Sequence, residues 1–168
     1  VEGLVVGLDA SWKILWQRPL SGETAWAKAV PAVLDAGGRK LACYPDASGT
    51  LTCLDGQGAA ARTQKFAERP MRAPPQVVRG DAGGPRLLVP AGSALYCYDA
   101  DGRLLWRRDA GATILTRPEL LADGNRRAIL CGTESGMLHA FDFDGKPLWQ
   151  TSVGAPMETF MNFLPRPG

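Results

Sequence analysis

The apolar positions of this chain fall into short runs of Val, Leu, Tyr, Phe and Cys, each cut off by a cluster of Gly, Asp, Ser or Pro. No stretch keeps a helical period through three turns. Glycine (20) and proline (13) are spread along the chain as punctuation rather than gathered into a linker. This pattern predicts an all-β protein of regularly spaced strands and tight turns.

The runs repeat. "CYDADGRLLW" at 97–106 returns almost unchanged as "AFDFDGKPLW" at 140–149. In both, an aspartate stands seven residues before a tryptophan: Asp99 and Trp106, Asp142 and Trp149. The same interval separates Asp9 from Trp16, and a weaker copy runs from Asp55 to Arg62. The four aspartates follow one another at 46, 44 and 43 residues, the period of a four-stranded propeller blade. Before each aspartate lies a hairpin, preceded by a run opening on proline at 31, 75 and 118; the tryptophan-bearing run follows. The unit is therefore four strands, A to D in chain order. The chain reads as one β-propeller segment of four-stranded antiparallel blades. Residues 1–28 form a partial blade, about 29–68, 69–111 and 112–154 form whole ones, and 155–168 start another.

Each repeated residue has a packing task. The aspartate ends strand C and accepts hydrogen bonds from backbone N–H groups two residues on. Gly102 and Gly145 complete the turn. The tryptophan brings a large apolar surface to a fixed place on the outer strand, where it fills the wedge between neighbouring blades. With Arg62 in that place, the second joint is expected to be looser or partly wet.

These decapeptides resemble the tryptophan-docking repeat of quinoprotein-type, or PQQ-like, propellers, written A-x-D-x-x-G-x-x-x-W. The family holds pyrroloquinoline-quinone dehydrogenases and non-enzymatic members, including the periplasmic scaffold of the outer-membrane protein assembly machine. The run at 131–156 looks most like a blade of that scaffold type. The resemblance covers essentially the whole chain and implies an exported protein, periplasmic or extracellular. The dehydrogenases of the family add a pair of adjacent cysteines, a calcium site and a catalytic aspartate. None can be placed here, and no two cysteines are adjacent. No cofactor, metal or catalytic residue is expected, and the chain reads as a non-enzyme.

Aligning the copies matches Val1 with Glu134 and Gly168 with Asn125, so one B strand has no counterpart. Three closures follow: part of a propeller of six to eight blades, two copies sharing a larger ring, or a four-bladed ring whose gap a partner strand covers. The chain opens on Val1 rather than Met, so no export signal can be read in either direction.

Charge narrows the partners. The net charge is +2, from 19 basic and 17 acidic residues, with arginines only in doublets such as Arg107-Arg108 and Arg126-Arg127. Those doublets read as solvated surface, and no nucleic-acid partner is expected. No apolar run reaches the roughly 18 residues of a membrane span. Cys43, Cys53, Cys97 and Cys131 lack zinc spacing and read as small buried hydrophobes, Cys43 matching Leu87 and Leu130; a Cys43–Cys53 bridge across one hairpin is the alternative. His139, the only histidine, matches Tyr96, Thr52 and Val6, which makes it a packing residue. The Asp-x-Asp-Gly stretches at 99 and 142 lack the later ligands of a calcium loop. Candidate contact residues are Met71 and Arg72, in an irregular inter-blade crossing, and Met157, Phe160 and Phe163, near the end. The reading is a scaffold or sensor propeller whose partners are other protein chains or the rest of the propeller. A fragment of a PQQ-dependent dehydrogenase and a glycan- or small-ligand-binding propeller are the alternatives.

Overall fold

The computed structural model describes residues 4–19, 30–46, 48–67, 71–80, 84–123 and 126–158. These residues form fourteen strands and no helix. The first hairpin pairs β1 (Leu4–Leu8) with β2 (Ile14–Pro19). Three four-stranded antiparallel sheets follow, each in simple chain order. The second blade holds β3 (Ala32–Ala36), β4 (Arg39–Pro45), β5 (Thr50–Leu54) and β6 (Ala60–Lys65). The third holds β7 (Gln76–Arg79), β8 (Pro85–Ala91), β9 (Ala94–Tyr98) and β10 (Leu104–Asp109). The fourth holds β11 (Glu119–Asp123), β12 (Arg126–Gly132), β13 (Met137–Phe141) and β14 (Pro147–Ser152). The fold is an all-β propeller. Ala155–Glu158 are not in a strand; the rest of the expected further blade, with Phe160 and Phe163, lies outside the described residues.

The core sits between sheets. Strands β4, β8 and β12 end in nearly continuous buried runs, because both faces of an inner strand meet a neighbouring blade. Leu87 and Val89 of the third blade pack with Leu34, Leu41, Leu51 and Cys53 of the second. Leu88, from the opposite face of the same strand, packs with Leu95, Ile129 and Phe141 of the third and fourth. The outer strands are mostly exposed, and Trp106 is the buried exception on β10.

A register shift recurs where strands C and D pair. Leu54 opposes Ala60 while Cys53 opposes Arg62, so Ala61 is left over. Leu15, Leu105 and Leu148 are skipped in the same way. This one-residue bulge, immediately before the Trp or Arg, aims the docking side chain at the next blade.

The cysteine reading is corrected. Cys43 and Cys53 oppose each other in register, Cα atoms 3.9 Å apart, and are joined by a disulfide. The counterparts of this pair are Leu88 with Cys97 and Leu130 with Ala140, so only the second blade carries cysteine at both places. Leu88, not Leu87, is the true match to Cys43. The cause is a turn between β8 and β9 one residue shorter than its equivalents, and a one-residue slip changes the face. Cys97 and Cys131 are free and buried, and desolvation pushes both thiols up to about 12. Alkylation followed by mass spectrometry is therefore expected to add nothing to the native chain, two adducts after denaturation, and four after reduction as well.

Candidate functional site

The repeated aspartates build four turns with the same backbone hydrogen bonding. Asp55 Oδ1 accepts from the N–H groups of Gln57 (3.0 Å) and Ala59 (2.9 Å). Asp9 does the same with Ser11 and Lys13, and Asp142 with Asp144 and Lys146. Asp99 accepts from Arg103 at 2.8 Å. Each carboxylate is thus committed to turn chemistry. In the three later turns the fourth residue is Gly58, Gly102 or Gly145, with φ of +75, +82 and +77°.

Each of these glycines lies beneath a side chain from the preceding blade. Trp16 donates from Nε1 to Gly56 O at 2.9 Å and rests on Gly58, where a Cβ would stand 2.6 Å from the indole. Trp106 donates to Phe143 O at 2.8 Å and rests on Gly145, again with only 2.6 Å to spare for a Cβ. Glycine is required twice over, for the left-handed backbone and for the bare Cα. Trp149 has the same place on β14, but no turn covers it among the described residues and it is half-exposed.

Arg62 stands at the second joint in the place of an indole. Its guanidinium lies on Gly102 where an indole lies elsewhere, and its Nη2 donates to Ala100 O at 3.4 Å. The long hydrogen bond and smaller apolar surface leave room for improvement. Arg62→Trp is expected to stabilise the chain by about 1 kcal/mol through added apolar burial, a rise of roughly 2–4 °C in Tm. Differential scanning calorimetry checks it.

Two residues beyond the docking position, a further contact was not anticipated. Arg18 Nε donates to Gly58 O at 2.8 Å, and Arg108 Nε donates to Gly145 O. Arg108 is half-buried in a joint, which corrects its assignment to solvated surface. Arg86 also reaches that turn, donating to Phe143 O and lying over the Phe143 ring at 5.2 Å. The signal was present as a Trp-x-Arg pair at 16–18 and 106–108.

The expected contact residues divide. Met71 is half-buried against the core between the second and third blades, while Arg72 is exposed. Met157 folds back onto Gly132 and donates its N–H to Thr133 O at 3.2 Å.

His139 lies buried, stacked on Phe141 with ring centroids 6.2 Å apart, and its Nε2 lacks a hydrogen-bond partner among the described residues. Burial lowers its pKa below 6.5, opposed by a hydrogen bond to the Ala110 backbone. A histidine held neutral stabilises the fold above pH 6.5, and that stability is lost as pH falls through its lowered folded-state pKa. His139→Thr, the residue of the second blade, is therefore expected to flatten the pH dependence of the urea midpoint below pH 6.5.

A family model described as outer membrane protein assembly factor BamB matches residues 1–161. The chain belongs to the BamB family. No curated protein sequence matches it. Among solved structures, BamB from Moraxella catarrhalis is 24% identical with a TM-score of 0.63, over 90% of this chain and 44% of that one. A europium-containing methanol dehydrogenase is 16% identical, TM-score 0.66, over 95% and 41%. BBS1N, in its complex with ARL6DN, is 15% identical, TM-score 0.64, over 94% and 49%. At these identities the likeness is one of fold, and this chain spans about half the length of those structures or less.

The residues described do not fit the quinone and calcium of the dehydrogenase branch. The disulfide joins opposite strands rather than neighbouring residues, and the repeated aspartates cap turns. Among the described residues, no three acidic, His or Cys side chains stand together as a metal site.

Proposed function

We propose that this BamB-family propeller is a non-catalytic protein-interaction scaffold or sensor module that works in the periplasm, in the assembly of outer-membrane proteins. The observation that carries this reading is how the repeat spends its polar groups. The aspartates bond the turns, and the docked indoles bond the next blade's carbonyls. Meanwhile the first hairpin turns Leu4, Val6, Leu8, Ile14 and Trp12 to solvent. An apolar group of that extent suits another polypeptide. The family description supports the setting, and the Cys43–Cys53 bridge suits an oxidising compartment.

A photo-crosslinking residue at Leu8, in the exported protein, is expected to trap a defined polypeptide adduct. The same residue at exposed Arg39 should trap none. Dye-linked alcohol oxidation after loading with PQQ and calcium would instead favour a dehydrogenase fragment.

A further inference from the structure

The third and fourth blades meet around a cavity of about 390 Å³, within the range of roughly 300–1,000 Å³ that ligand pockets occupy. Asp109 and Ala110 line it from the third blade, and His139, Phe141, Leu148 and Gln150 from the fourth. Asp109, Leu148 and Gln150 are exposed, while Ala110, His139 and Phe141 are buried. The cavity therefore runs from a mouth beside the outer strand β14 to an aromatic wall.

The preceding joint shows what covers such a wall. Phe66 and Ala110 are equivalent residues. Each follows the outer strand of its blade, and each donates its N–H to the same point of the hairpin between strands B and C: Phe66 to Gly49 O at 2.9 Å, Ala110 to Ser93 O at 2.8 Å. Tyr96 and Tyr98 of the third blade are likewise the counterparts of His139 and Phe141 of the fourth, at the same distances before the repeated aspartate. Between the second and third blades, the Phe66 ring is buried. It meets Tyr96 edge-on with centroids 4.8 Å apart, and Tyr98 at 6.4 Å. Between the third and fourth blades, His139 and Phe141 stack on each other, and a hydrogen bond to the Ala110 backbone holds the imidazole. The aromatic wall recurs, but the side chain that covers it in the preceding joint is reduced to the methyl group of Ala110.

We propose that this cavity is a docking site for one aromatic side chain of a partner polypeptide, seated edge-on against His139 as Phe66 is against Tyr96. The ring buries its apolar area against Phe141 and Leu148. The mouth beside exposed β14 leaves room for the backbone that carries it. Phe66, the internal template, is itself a ring delivered by a polypeptide that runs on past an outer strand. The choice of a polypeptide rests on the scaffold reading; the cavity rests on the comparison of the two joints.

His139 is the only histidine, so its ring protons report this one site by proton NMR. N-acetylphenylalaninamide is expected to move His139 Hε1 and Hδ2 saturably by its ring current, and N-acetylleucinamide to leave them in place. Ala110→Phe, which supplies the ring of the preceding joint from within, should abolish the response and leave Tm no lower than native. Ala110→Leu, a smaller plug, should weaken it. No response in the native chain would overturn the proposal, as would an equal response to N-acetylleucinamide or an undiminished one in folded Ala110→Phe. A response to toluene without one to N-acetylphenylalaninamide would overturn the polypeptide occupant. Crosslinking at Leu8 reads a different surface, so its failure would count against the scaffold role and not against this cavity.

Discussion

Trp106→Ala is expected to destabilise the chain by about 3–5 kcal/mol, the cost of truncating a buried aromatic. For a domain of this size that is a fall of roughly 6–20 °C in Tm. Trp106 is 7% exposed, and three things leave with it: the wedge between third and fourth blades, the hydrogen bond to Phe143 O, and the cover over Gly145. The remaining contacts from Arg86 and Arg108 hold the turn without filling the gap. Trp149→Ala is the control. It deletes the same side chain at the same phase, yet with 45% of the residue exposed it should cost no more than about 1 kcal/mol. The comparison separates docking from tryptophan content, and thermal melts of the two variants read it directly.

Loss of the Cys43–Cys53 bond is the second large effect. The two cysteines lie ten apart in sequence, and closing a loop of that size restricts the unfolded chain. Removing such a bridge typically costs about 2–4 kcal/mol. Urea midpoints should therefore fall on reduction of the native protein. Cys43→Ala and Cys53→Ala should each lose a similar amount, and the double variant little more, because either change already breaks the bond. Only the native protein should respond to reductant. The other two thiols, Cys97 and Cys131, lie in the same core between the third and fourth blades and take no part, since both remain free.

The fold was legible because docking ties residue type to phase. An indole that must land on a bare glycine beneath an Asx turn leaves Asp, Gly and Trp at fixed intervals, and those intervals survive in the sequence. What was hidden depends on register or on backbone partners. Cys43 and Cys53 are ten residues apart, but they become neighbours only once turn length sets which residues oppose. The shorter turn at Gly92-Ser93 displaced the match from Leu88 to Leu87 for the same reason. Arg86 was unreadable as a joint residue because its acceptor is a carbonyl oxygen, which carries no side-chain signature, and Arg18 and Arg108 left only their shared spacing from the tryptophan. Trp12 stands, with a left-handed backbone, where glycine stands in every later turn.

The account turns on indoles seated on the glycine of the following blade. Nuclear Overhauser contacts between tryptophan ring protons and glycine Hα protons test that seating directly. The account predicts contacts from Trp16 to Gly58 and from Trp106 to Gly145, and none from Trp149 to Gly58, Gly102 or Gly145. Absence of both predicted contacts in the folded protein would contradict it.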